Sequence, residues 1–290
     1  MTVRRALAAL MLATPIATVS PVHADSATPT DTGLLAGIKA GEAVRMEYQI
    51  KANAWLLFLP ITGKANFSVD LKPDTYRITS QVKTTGLADI LVNYDMALAA
   101  TGYVQKTGLE TYAYGSQNSD GKKNRRVNIK YHPDSFDMTA SPVFGDLGDP
   151  PASTEQVLDA RDPITALISF ALEPRMVDED PCGGPLKIFD GRQLTYLHLE
   201  NQGLTPVRST AWSGDAYECH VRMERVAGYD ADEINRDSLT AIDGPLRMWL
   251  APLENGATVP VRIEANSKDI GTITLQAARL SFTPLSDVSD

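Results

Sequence analysis

The chain has little of what most enzyme sites are built from. Four histidines and two cysteines in 290 residues leave few soft metal ligands. No H-E-x-x-H pair and no close Cys/His set offers the three or four converging ligands of a zinc site. No G-x-G-x-x-G turn and no Walker loop presents a row of backbone amides to a phosphate. No G-x-S-x-G elbow lifts a serine nucleophile. Positive charge is also in the minority: 27 Lys and Arg stand against 36 Asp and Glu, a formal charge of −9. Nonspecific nucleic-acid binding draws its affinity from basic side chains that displace counterions, so this balance argues against a nucleic-acid partner. Beyond the first two dozen residues no apolar stretch approaches the ~20 residues of a spanning helix, and no transmembrane segment is expected in the mature chain. No cofactor is expected either.

The N-terminal segment, residues 1–24, reads as a secretory signal peptide. Arg4 and Arg5 form its basic start, Ala6 to Val19 its mostly apolar middle, and Val22-His23-Ala24 a small-residue cleavage site ahead of Asp25. No cysteine lies at the cleavage site to carry a lipid. The expected location is the periplasm. Residues 25–39, small and polar at their start, read as a disordered lead-in. Residues 40–285 read as a single β-rich domain, a length that all-β folds often reach. Cys182 and Cys219 are the only cysteines. An even count in an exported chain suggests a disulfide. Closing so long a loop contributes about 4 kcal/mol in the chain-entropy picture. The rival, a redox or metal pair, lacks C-x-x-C spacing and two further ligands.

Period-two alternation dominates the chain. Val44, Met46, Tyr48 and Ile50 interleave with Arg45, Glu47, Gln49 and Lys51. Phe67, Val69 and Leu71, then Tyr76, Ile78 and Val82, then Val127, Ile129 and Tyr131 form similar sets. So do Tyr217, Cys219, Val221 and Met223; Val259, Val261, Ile263 and Ala265; and Ile273, Leu275 and Ala277. Side chains on a strand alternate between faces, so each set marks a half-buried strand. One wet face is characteristic of antiparallel sheet. Turn signals stand at Lys72-Pro73-Asp74, Ser119-Asp120-Gly121, Asp190-Gly191, Ser213-Gly214-Asp215 and Glu254-Asn255-Gly256. The pattern fits a meander, a sandwich or a curled, barrel-like sheet.

Two segments have helical spacing. Asp162 is a good N-cap and Pro163 suits the first helical position; Ile164, Leu167, Ile168, Ala171 and Leu172 then form one stripe, ending before Pro174. A shorter set comprises Leu87, Ile90, Leu91 and Tyr94. Ser141 to Ser153, with three prolines and two glycines, reads as a long exposed loop.

The order of these features resembles an uncharacterised family of exported bacterial proteins, domain of unknown function 3108, over residues 40–282. The stretches that carry the likeness include Arg77 to Leu91, the Asp162-Pro163-Ile164-Thr165 helix start, and Pro181-Cys182 leading to Ile188-Phe189-Asp190-Gly191-Arg192. Tyr217-Glu218-Cys219 with Ala227-Gly228-Tyr229, and Met248-Trp249-Leu250 followed by Val259-Pro260-Val261-Arg262-Ile263, complete the set. The resemblance implies export, a curved antiparallel sheet with packed helices, and paired cysteines. It transfers no activity. Trp55 to Pro60 departs from the short Gly-bearing turn common at that point. The expected fold is therefore mainly β: a curved antiparallel sheet, half-barrel or spiral, with one principal packed helix and one short helix.

Candidate chemistry is sparse. His132, His198 and His220 read as surface or structural residues, and Asp178-Glu179-Asp180 as a solvated acidic turn. Lys122, Lys123, Arg125 and Arg126 read as a charged hairpin, with contact to anionic lipid headgroups or a polysaccharide as the sharper alternative. In Phe189-Asp190-Gly191-Arg192, Arg192 is expected to pair with Asp190 or a neighbouring carboxylate. The least expected feature is the unbroken apolar run Trp55 to Ile61. It is either a strand buried on both faces or an apolar contact surface, with Trp55, Leu56, Leu57, Phe58 and Leu59 as its residues. Together these readings point to a noncatalytic periplasmic cell-envelope protein that binds a hydrophobic ligand, such as a lipid, or an envelope protein. A structural factor for envelope integrity without a small ligand is the alternative. A hydrolase acting on envelope polymers stands third, with Asp190 and His198 as the first pair to inspect.

Overall fold

A computed structural model describes residues 33–38, 41–56, 59–85, 94–119, 124–175, 180–231, 242–267 and 271–287. The alternating segments form β1 (Val44–Leu56), β2 (Leu59–Leu71), β3 (Thr75–Thr85), β4 (Asp95–Gln105), β5 (Gly108–Asn118), β6 (Arg126–Tyr131) and β7 (Phe136–Ser141). After a crossover come β8 (Leu186–Phe189), β9 (Leu194–Arg208), β10 (Ser213–Ala227), β11 (Ile242–Pro252), β12 (Thr258–Ser267) and β13 (Gly271–Pro284). All lie in one antiparallel sheet of order β7-β6-β5-β4-β3-β2-β1-β13-β12-β11-β10-β9-β8. The chain thus starts at mid-sheet and meanders outward to β7. It then crosses to the opposite edge and meanders back until β13 pairs with β1.

The crossover carries α2 (Thr154–Leu158) and α3 (Pro163–Leu172); a single turn, α1 (Leu34–Gly37), precedes the sheet. Ser153 caps α2 in a reciprocal box with Gln156. Asp162 caps α3 by accepting from the Thr165 amide, with Pro163 at the first position. The sequence pattern predicts an α3 with one apolar stripe against the sheet. Instead, every residue but Pro163 and Leu167 is buried. The helix touches β3, β4 and β5 from one half of the sheet and β8 and β12 from the other. The sheet has curled around it.

The ladder does not close into a barrel. Phe136 of β7 and Phe189 of β8 meet edge to face across the seam, ring centroids 6.1 Å apart. The outer side of β8 is taken by Arg161, whose amide donates to the Lys187 carbonyl (3.0 Å) and whose carbonyl accepts from the Phe189 amide (2.9 Å). Backbone groups that would otherwise form a sticky edge are thereby satisfied.

Three sequence expectations need adjustment. The Trp55–Ile61 run is not one strand: Trp55 lies opposite Pro60 and Leu56 opposite Leu59, so it straddles the β1–β2 hairpin, with Leu57 and Phe58 outside the described residues. Leu34–Gly37, assigned to the disordered lead-in, forms α1, and Leu35 is only 2% exposed in the core. Ser213-Gly214-Asp215 starts β10 rather than forming a turn; the reversal sits just before it, where the Ser209 amide donates to the Trp212 carbonyl. The short helix expected around Leu87, Ile90 and Leu91 falls outside the described residues, as does the signal segment.

Candidate functional site

Two concavities flank α3. The smaller, about 450 Å³, opens on the concave face of the sheet beside the N-terminal end of α3. Strand alternation builds its floor. Met96 and Leu98 share the face of buried Ala100, while Ala97 and Ala99 between them are exposed. Tyr114 of β5 and Val127 of β6 continue that face; Phe144 of the crossover loop and Pro163 of α3 close it. The polar part of the wall includes Arg125, Asp190 and Arg192. Asp190 is engaged by its own turn: its Oδ1 accepts from the amides of Arg192 (2.8 Å) and Gln193 (2.7 Å). The Arg192 side chain pairs instead with neighbouring carboxylates, Asp146 at 2.7 Å and Asp230 at 2.5 Å. The Arg192 guanidinium holds the Asp146 carboxyl below its ordinary range. Arg125 lies over the Phe144 ring, 4.4 Å from its centroid, and its Nε is buried without a hydrogen-bond partner.

The larger concavity is an open cleft of about 1030 Å³ along the seam of the sheet. Its charges cancel locally. Arg161 pairs with Glu173 at 2.8 Å, and Lys187 pairs with Asp159. Glu173 also accepts from the Ser169 hydroxyl, which in turn accepts from the Leu109 amide at 3.0 Å. Arg175 stacks 3.7 Å from the Phe170 ring centroid and donates to the Phe170 carbonyl; burial pulls its pKa below the ordinary value. At the mouth, Tyr103 and Tyr112 are 46% and 41% exposed and meet edge to face at 6.3 Å.

Between the two lies a buried polar node. Asp162 is 0% exposed. It accepts from the Thr165 amide and the Thr111 hydroxyl, both at 2.9 Å, while the hydroxyls of Thr165 and Tyr76 are 2.9 Å apart. Burial raises the Asp162 pKa despite these bonds.

The three histidines among the described residues have local partners. His132 meets Asp137 at 2.9 Å, His198 meets Glu224 at 2.5 Å, and His220 stands 3.5 Å from Glu218. Asp190 and His198 therefore serve different partners. Cys182 and Cys219 stand at disulfide distance, Sγ–Sγ 1.96 Å, packed with Phe170, Val221, Met248 and Leu250. They join the loop ahead of β8 to β10. Among the described residues no cluster of three or more His, Cys, Asp or Glu side chains can hold a metal ion. Among them, too, no helix is long and apolar enough to cross a membrane. Of the acidic and basic runs, Asp178, Glu179, Lys122 and Lys123 lie outside the described residues. Asp180 accepts from the Cys182 amide, and Arg126 donates to Gln117. Sequence reasoning passed over Met96, Leu98 and Phe144. The first two carried a usable signal, the alternation Met96, Leu98, Ala100; Phe144, in a proline-rich loop, carried none.

The chain matches the family model described as a protein of unknown function (DUF3108) over residues 47–278, and it belongs to that family. No curated protein matches it. Among solved structures it is similar to a beta-barrel-like protein of the domain of unknown function DUF1849 from Brucella abortus. The identity is 8%, the TM-score 0.48, and the match covers 85% of this chain and 100% of that one. It is also similar to a DUF1329 family protein from Desulfovibrio piger, at 11% identity and TM-score 0.23, over 88% of this chain and 91% of that one.

Proposed function

We propose that this DUF3108 protein is a noncatalytic, exported protein of the cell envelope that holds a hydrophobic ligand on the concave face of its curled sheet. The observation that carries the reading is the 450 Å³ pocket, whose floor is Met96, Leu98, Tyr114, Val127, Phe144 and Pro163. Apolar surface left open to water is a standing free-energy cost of about 25 cal/mol per Å², recovered when a ligand covers it. Export and a periplasmic location are supported by the signal-like N-terminus and by a cysteine pair at bonding distance, since disulfides form and persist chiefly in oxidising compartments. Trp55, Leu56, Leu57, Phe58 and Leu59 are proposed as an apolar contact at the β1–β2 hairpin, where ligand would pass from a lipid surface.

The test is native mass spectrometry of the mature protein purified gently from a bacterial periplasm. A reproducible adduct of lipid mass is expected, lost on solvent extraction and absent from Leu98→Trp, which fills the pocket. Alkylation without reductant should label neither cysteine. A clean apo mass for the wild type overturns the ligand reading. It would then favour the second reading, an envelope-integrity factor that binds a protein partner, for which the exposed Tyr103 and Tyr112 at the larger cleft are the supporting observation.

A further inference from the structure

Arg125 differs from the arginines that carboxylates hold around the sheet. Arg192 is held by two carboxylates, Arg161 by Glu173, Arg45 by Asp70, and both Arg247 and Arg262 by Glu264. Among the described residues, Arg125 makes no ion pair and its side chain no hydrogen bond. Its guanidinium lies over the Phe144 ring, with Nε buried and without a hydrogen-bond partner. A ring contact steadies the charge but satisfies none of the five N–H donors of a guanidinium. A buried donor without an acceptor is unfavourable, and more so on a charged group. Asp190 lines the same pocket yet spends its carboxylate on the turn that it caps. The polar side chains of Ser116 and Asn118 line the wall too, and the Asn118 amide donates to the Arg125 carbonyl at 2.8 Å. The pocket therefore combines an apolar floor with a cation that has no acceptor among the described residues.

We infer that the ligand is an amphiphile whose apolar body ends in an oxyanion, a carboxylate or a phosphate, and that Arg125 receives that end. The inference rests on the hydrophobic-ligand reading and specifies its chemical class. The planar guanidinium fork matches both oxyanions with paired N–H bonds, and such charge-assisted bonds are the strong ones. The apolar body supplies affinity, while Arg125 selects the headgroup and fixes which way round the ligand sits.

Equilibrium binding to the delipidated protein, with four probes, decides the matter: dodecanoate, dodecyl phosphate, dodecanol and inorganic phosphate. Both amphiphilic oxyanions are expected to bind at least about tenfold tighter than dodecanol, the scale of one or two charge-assisted hydrogen bonds. Inorganic phosphate should bind at least a hundredfold more weakly than dodecyl phosphate. Arg125→Gln should erase the preference over dodecanol, and Arg125→Lys should restore part of it, which also covers the case of a glutamine variant that does not fold. Dodecanol binding as tightly as the oxyanions would overturn the inference while leaving the pocket reading intact. So would a preference that survives Arg125→Gln. Phosphate alone binding as tightly as dodecyl phosphate would make this a free-anion site and overturn the amphiphile. If no probe binds, or if Leu98→Trp leaves all binding unchanged, the pocket reading itself fails.

Discussion

Asp162 is held where a carboxylate is least at home, fully buried at the start of a helix that the sheet encloses. It stays because its oxygens complete other groups: the Thr165 amide has no intrahelical acceptor, and the Thr111 hydroxyl turns inward toward it. Asp162→Ala should destabilise the fold by about 2–4 kcal/mol in urea titrations, combining loss of the cap with buried donors left unpaired. Asp162→Asn keeps an acceptor for the cap and removes the charge. The folded pKa is raised, so the native state holds the proton more tightly than the unfolded chain. The stability that this proton carries is lost as pH rises from about 4, the ordinary carboxyl value, through the raised one. The difference in unfolding free energy between wild type and Asp162→Asn should therefore move against the wild type across that interval, and a pH series of urea midpoints reads it directly. Little of this was legible beforehand. Asp162 and Pro163 announce a helix start by themselves. The burial of Thr165 and Ser169 depends on Thr111, Tyr76 and Leu109, which only the curled sheet brings near.

At the scale of elements, the β4–β5 pair shows how closely the sheet is drawn. Its register shifts between Thr101 and Gly102. A Cβ on Gly102 would lie 1.9 Å from the Glu110 carbonyl oxygen and 2.7 Å from a ring carbon of Tyr76. The first neighbour is backbone and cannot swing aside. Gly102→Ala should cost about 3 kcal/mol or more, seen as a lowered urea midpoint with little change in slope. The turn at Asp190-Gly191 is read correctly from sequence for a related reason: Gly191 sits at φ +107°, where side chains are strained. Elements whose burial follows a strict alternation were readable. Met46, Tyr48 and Ile50 are buried, as are Phe67, Val69 and Leu71, and Val127 with Ile129. Alternation fails where both faces are covered, as at Thr258 to Val261 in β12, all buried. It gives no guide at Trp55–Ile61, where the ends of two paired strands share one apolar composition.

Across the whole molecule, phenols are sunk into the core. Tyr48 donates to the Pro260 carbonyl, and burial pushes the hydroxyls of Tyr48, Tyr76, Tyr114 and Tyr131 well above the ordinary phenol range. The fold retains these protons beyond the point at which an unfolded chain releases them, near pH 10. Stability should therefore decline as pH rises past about 10, and near-ultraviolet phenolate absorbance from these four should appear together with loss of the fold rather than ahead of it. Sheet order was the part least accessible to sequence, since nothing local tells β1 that its second partner is β13.

That pairing has a temporal meaning. Val44 lies opposite Pro284, so the two ends of the sheet's chain path meet in its middle. A chain made from its N-terminus can pair β1 through β7 in sequence, each strand beside the one just finished. The second edge of β1 stays vacant throughout, and α3 emerges with walls on one side only, because β8 and β12 are not yet made. The fourteen residues of β13 are therefore the latch. Until they arrive, no strand joins the two meanders. Once they arrive, two meanders become one continuous sheet.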